Sequence, residues 1–168
     1  MAVKRDSYDS GSVYKATSQG IIASFDGEHS FLSNFYEDAF DCGGKMVPTA
    51  EHAFQAQKTA DPLQRQLVLS MTTPGQAKRA GRKVDLRPNW LEVRVSIMRQ
   101  ILAYKFAAGT PLANKLISTY PKHLVEGNNW GDTFWGCVRE PHSDGVLVGQ
   151  NTLGVLLMER RDQLREAT

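Results

Sequence analysis

Cysteine is scarce: the 168 residues hold two, Cys42 and Cys137, and neither stands in a CxxC or other zinc-ligand spacing. No disulfide framework is expected, and both read as reduced thiols of a cytoplasmic protein. Long apolar runs are missing as well, so no membrane span of roughly 18 or more such residues is expected. The opening MAVKRDSYDSGSVYKATSQG has no apolar stretch of the kind a signal peptide carries. Residues 1–18 are expected to be a flexible leader, followed by one domain over 19–168. His29, His52, His123 and His142 form no HxxxH or HxxE pattern, so no metal is expected. There is no GxGxxG, P-loop or GxSxG, which removes support for nucleotide hydrolysis by those routes. A net charge of +2 neither demands a nucleic-acid partner nor forbids one, because local clusters outweigh the sum.

What is present suits a folded domain. Hydrophobic residues at 41% and charged ones at 23% are enough for a chain of this length to build one core. Ile21–Phe25 reads as a short strand ended by Asp26-Gly27. EDAFDCGGKMVPTA reads as a hairpin turning at Gly43-Gly44, and Asp144-Gly145 marks a second turn in REPHSDGVLVGQ. Helices are expected from about Pro48 or Thr49 to Thr59, from Asp61-Pro62 to about Met71, and through TPGQAKRAGRK. A longer one runs from Pro88 to Gly109, with Trp90, Ile97, Ile101 and Tyr104 on one stripe. Leu91, Val95, Met98, Leu102 and Phe106 widen that stripe, so burial over much of its circumference is expected. TPLANKLISTY begins another helix, and the last turns Leu153, Leu156, Leu157 and Leu164 inward. The sum is an α+β fold: a single, mostly helical domain with a small antiparallel sheet.

Two stretches can carry chemistry. In AEHAFQAQK, Glu51, Gln55 and Lys58 share one helix face, opposite Ala50, Ala53 and Phe54. They form either a solvated face or an acid and an amine projecting together into a cleft, where a carboxylate moves protons and a desolvated lysine attacks a carbonyl-like carbon. In EGNNWGDTFWG, Trp130 and Trp135 flank Asp132 among turn residues. These rings either plug a core edge or wall a planar ligand. Lys78, Arg79, Arg82, Lys83 and Arg87 form a basic cluster that is either solvated or phosphate-binding.

FLSNFY (31–36), PTAEHAFQAQK (48–58), LRPNW (86–90), WGDTFWG (130–136) and GQNTLGVLLMERR (149–161) stand in that order. Together they resemble the NADAR family, also called YbiA-like, over about residues 21–165. The resemblance implies an N-glycosidase cleaving the ribose C1–N bond of a ribosylated base. The implied substrate is ADP-ribosylated guanine in nucleic acid or nucleotide. The alternative is a ribosylated small molecule, a ribosylamino-pyrimidine phosphate of early riboflavin synthesis. A non-catalytic ADP-ribose reader is a further alternative. No cofactor is implied.

Glu51 and Lys58 match the family's glutamate and lysine, with Asp132 completing the expected catalytic set. Trp90 and Trp135 match family site positions, and Asn34 matches a ribose-side contact. Phe35, Gln55, Arg82, Trp130 and Asn151 complete the expected substrate-binding set. In the implied chemistry Lys58 attacks the anomeric carbon and forms a Schiff base with the opened ribose, while Glu51 or Asp132 moves protons. The other route has Glu51 activating water and Lys58 orienting the sugar. One departure from the family pattern is CVREPHSDGVLV, longer than the usual turn, whose Arg139, Glu140 and His142 bear on which base or phosphate is accepted.

Overall fold

Four helices open on a short polar residue whose side chain satisfies an orphan N–H of the first turn. The computed structural model describes residues 13–14, 20–142 and 145–167. Thr49 accepts from His52 N at 3.2 Å to start α1 (Ala50–Ala56). Asp61 accepts from Leu63 N at 2.8 Å ahead of α2 (Pro62–Leu69). Thr73 and Gln76 form a reciprocal capping box at α3 (Pro74–Gly81), and Gln76 N donates to Thr73 Oγ1 at 3.2 Å. After α4 (Trp90–Lys105), Thr110 accepts from Ala113 N at 3.2 Å at α5 (Pro111–Ser118). In α2, α3 and α5 a proline occupies the first turn, where its missing N–H costs nothing. The last helix is α6 (Thr152–Glu166), and a six-residue 3-10 helix spans Gly27–Leu32.

The core lies where α4, α6, α5 and α1 meet. Leu102 of α4 and Phe106 just after it, Leu153 and Leu157 of α6, and Leu116 of α5 are all buried in one cluster. The inward set expected of the last helix, Leu153, Leu156, Leu157 and Leu164, is buried. The long helix differs from expectation. It starts at Trp90, and Leu91 is 71% exposed, because one step from Trp90 turns a side chain about 100° away from the core. Glu92, Ser96, Arg99 and Gln100 share its solvated side, so α4 buries one face only.

Among the described residues the strands are short and divided among three sheets. β2 (Ile21–Ile22) pairs in parallel with β5 (His123–Leu124). β3 (Phe40–Asp41) and β4 (Met46–Val47) form the expected hairpin, closed by Cys42 N donating to Lys45 O at 2.8 Å. The largest sheet has the order β1 (Val13–Tyr14), β8 (Leu147–Val148), β7 (Cys137–Arg139), β6 (Gly127–Asn128). β7 and β8 are antiparallel, as the hairpin reading expects, although residues 143 and 144 of its turn lie outside the described residues. β6 and β7 are parallel. The segment 129–136 loops back instead of turning tightly, so the sheets are mixed and not purely antiparallel. Within the expected leader, Val13–Tyr14 pairs with β8, and the rest of 1–18 lies outside the described residues. Cys42 and Cys137 are unpaired thiols, and burial pushes Cys137 up to about 11. Among the described residues no helix is long and apolar enough to cross a membrane.

Candidate active site

The α1 face singled out by spacing is buried, not solvated. Glu51 is 5% and Gln55 4% exposed, and with Lys58 they form one side of a cleft of about 530 Å³. Gln55 Nε2 donates to Glu51 Oε1 at 2.7 Å, holding the carboxylate in place. The Glu51 backbone N donates to Asn34 O at 2.9 Å, which ties the helix to the loop Ser33–Phe35 roofing the cleft. Asn34 Oδ1 is buried with no protein donor, so it is free to accept from a bound hydroxyl or amine. Beneath that loop, the buried Lys105 donates from Nζ to Ser33 O at 2.6 Å. Phe54, expected to face only inward, also lines the cleft.

The tryptophan loop forms the opposite wall. Asp132 Oδ1 accepts from Phe134 N at 3.0 Å and Trp135 N at 2.9 Å. Asn128 clamps the loop from inside, donating to Asp132 O at 2.7 Å and accepting from Asp132 N at 3.0 Å. Gly131, at φ +86, makes the turn, and Gly136 leaves room for the Glu126 carbonyl and the Asn128 amide that a Cβ would strike. The two rings divide the readings left open by composition. Trp135 lines the cleft while meeting Phe54 edge-on, centroids 5.3 Å apart at 84°. Trp130 stands at the mouth, 63% exposed. Lys78 bridges that mouth, its Nζ 5.5 Å from the Phe35 ring and 5.9 Å from the Trp130 ring.

Three expected site residues do not line this cleft. Trp90 is buried against Phe54, centroids 5.0 Å apart, and its ring lies 6.0 Å from Lys58 Nζ. Arg82 is exposed and lines a separate groove between α2 and α3, although its charge reaches Lys58. Asn151 is fully buried, in the left-handed region at φ 52, accepting from Glu126 N at 3.0 Å and donating to Leu124 O at 2.8 Å. It is a joint between β5, β6 and α6. Arg139 of the longer segment lines a neighbouring hollow that shares Ser33, Glu126 and Trp130 with the cleft.

Burial shapes the charges. Desolvation raises Glu51 against the opposing pull of Gln55, Lys78, Lys58 and His52. Desolvation lowers Lys58, and Arg82 and Lys78 push the same way against Glu51. Among the described residues Glu51 and Lys58 form no ion pair. Both groups therefore move toward neutrality, the condition for a nucleophilic amine. One acid of the cleft was given no role in the sequence reading: Glu126, whose carboxyl is pushed up to about 8 by burial and by Asp132 and Glu51. Its sequence signal was an acid at the mouth of a Gly/Asn-rich loop that holds a second acid.

The NADAR domain profile matches residues 22–165. The chain belongs to the NADAR family. It is 38% identical over 139 residues to the N-glycosidase YbiA of Escherichia coli K12, covering 82% of each chain. It is 37% identical over 143 residues to a riboflavin biosynthesis protein of Vibrio vulnificus, covering 84% of this chain but only 37% of that protein's length. The NMR structure of E. coli YbiA superposes with a TM-score of 0.74 at 36% identity, over 91% of this chain and 89% of that one. The mostly helical α+β fold with small sheets is thus the family's fold.

Proposed function

We infer that the protein is an N-glycosidase that cleaves the ribose C1–N bond of a ribosylated base, and that its substrate is ADP-ribose attached to guanine. The observation that carries the reading is one cleft holding a buried Glu51, a lysine depressed by burial and aromatic walls. Family membership and the printed activity of the YbiA relatives support the bond type. The ADP-ribose assignment is supported by the mouth, where Phe35 and Trp130 offer two exposed rings around the Lys78 ammonium. That rim suits a ligand with a second base and a diphosphate beyond the reacting ribose.

In this reading the neutral Lys58 amine attacks C1 as the bond to the base breaks and its electron pair leaves with the base nitrogen. Opening of the ribose ring gives an imine on Lys58, which water returns to free amine and sugar. Glu51, fixed by Gln55, takes and returns the protons of the attacking nitrogen and water. Trp135 and Phe54 exclude water from one side of the sugar.

A second reading is favoured by the riboflavin names of the Vibrio and Zea mays relatives: a ribosylamino-pyrimidine phosphate with a single phosphate at Lys78. Both substrates are offered in parallel and base release is followed by chromatography, with borohydride present in a second arm. Release of guanine with a reduced adduct on Lys58 supports the first reading. Release from the pyrimidine substrate alone selects the second. Undiminished release by Lys58→Ala removes lysine from the chemistry.

A further inference from the structure

The three carboxyl groups of the cleft, Glu51, Asp132 and Glu126, differ in what the protein gives them. Asp132 Oδ1 is occupied by two backbone N–H groups and serves the loop. Glu51 accepts from Gln55. The Glu126 carboxyl accepts no hydrogen bond from the protein among the described residues, although its backbone is held on both sides. Its N donates to Asn151 Oδ1 at 3.0 Å, and its O accepts from Cys137 N at 2.8 Å. The backbone is thus held in place, and Glu126 lines the cleft and the hollow beside it.

The geometry points to Glu126 as the general acid of this cleft, the group that protonates the departing base. The assignment rests on the glycosidase reading and extends it. As the C1–N bond breaks, its electron pair passes to the base, which takes the proton from Glu126. The nucleophile supplies the pair that fills C1, and the water that later releases the sugar restores the proton to Glu126. The surroundings keep that proton in place at neutral pH. Burial disfavours the carboxylate, Asp132 in the adjoining loop and Glu51 on α1 add like charge, and only Lys78 on α3 opposes them. A carboxyl pushed up to about 8 is still protonated at pH 7, whereas one accepting several hydrogen bonds would not be. Asn151 acquires a role by the same geometry: it positions Glu126 and makes no ligand contact.

The test compares two N-ribosides: a purine riboside, whose base must be protonated to leave, and a pyridinium riboside, whose base leaves neutral without a proton. Glu126→Gln is expected to slow the first by about 10²–10⁴-fold and the second by less than about tenfold. The fall in wild-type rate above pH 8 is expected to disappear in the variant. Carbon-13 NMR of the wild-type carboxyl, which needs no variant to fold, is expected to show a midpoint near 8. Equal losses on both ribosides, a surviving alkaline limb, or a midpoint near the ordinary carboxyl value of about 4 overturns the assignment. Unimpaired release by Glu126→Gln overturns it alone. No release from either riboside by the wild type overturns the glycosidase reading and the acid with it.

Discussion

Gly81→Ala adds one methyl group at the joint between α3 and α1, and its effect should reach the cleft through Gln55. The new Cβ would fall inside contact distance of Gln55 Oε1, 2.8 Å from its Cβ and 2.9 Å from its Cδ. Gln55 is buried and held by its bond to Glu51, so it can yield only toward the cleft and by giving up that bond. Overpacking of this kind costs about 1–3 kcal/mol. Alanine returns at most about 1 kcal/mol of helix propensity, and less at the last helical residue. The net expectation is destabilisation by about 1–2 kcal/mol, a fall of about 2–8 °C in Tm for a domain of this size. If Gln55 rotates, Glu51 loses its hydrogen-bond donor, and kcat should fall about tenfold or more. Thermal unfolding and base release are measured in the wild-type background and in Gln55→Gly, which removes the Cβ as well as the amide from the contact. With Gln55 truncated, the same glycine substitution should cost less than about 0.5 kcal/mol, a coupling expected of touching residues. An unchanged Tm in the wild-type background, or the same cost in both backgrounds, would refute the contact.

Asp132→Ala should lose the two backbone N–H bonds that shape the tryptophan loop, destabilising by about 2 kcal/mol in urea unfolding, while Asp132→Asn keeps the acceptor and stays within about 0.5 kcal/mol of wild type. If the two variants unfold alike, the carboxyl group does not organise the loop. Lys105 is buried and pushed down to about 7, so between pH 7 and 10 the unfolded chain keeps a proton that the folded one has lost. Wild-type stability should therefore rise with pH across that window relative to Lys105→Met, by at most about 1.4 kcal/mol per pH unit, and the difference should be flat below it. A difference that stays constant from pH 6 to 9 would place the lysine's titration elsewhere.

Legibility in the sequence followed the range of the interactions. Caps and first-turn prolines are local, so Asp61-Pro62, Thr73-Pro74 and Thr110-Pro111 marked their helices correctly. The mixed pairing of β6 with β7 was hidden because it depends on how the tryptophan loop returns, a matter of Asn128 and Gly136 meeting backbone nine residues away or more. Periodicity put Glu51, Gln55 and Lys58 on one face but could not say whether water or protein covered it. Burial of Glu51 came from the Ser33–Phe35 loop, some sixteen residues earlier in the chain. Asn151 had no local signal for its joint role either, since both its partners come from the strand region before the tryptophan loop.

Spacing alone set up a conflict at Lys58, because a neighbouring carboxylate stabilises an ammonium and so opposes nucleophilic attack. The structure shows which effect is larger. Desolvation is the leading influence on both partners and drives them in opposite directions, Glu51 up and Lys58 down. Lys78 acts on each, yet it assists only the lysine's loss of its proton, while on Glu51 it opposes the shift. The cation at the mouth therefore favours a free amine without also favouring a protonated Glu51. In the proposed mechanism the proton needed by a leaving base comes from another carboxyl, and the number of protein donors among the described residues orders the three candidates: two on Asp132, one on Glu51, none on Glu126. In the proposed mechanism the base that accepts protons during attack and the acid that gives one during departure come from different elements, α1 and the β5–β6 connection. That separation is what lets one cleft do both at the same pH.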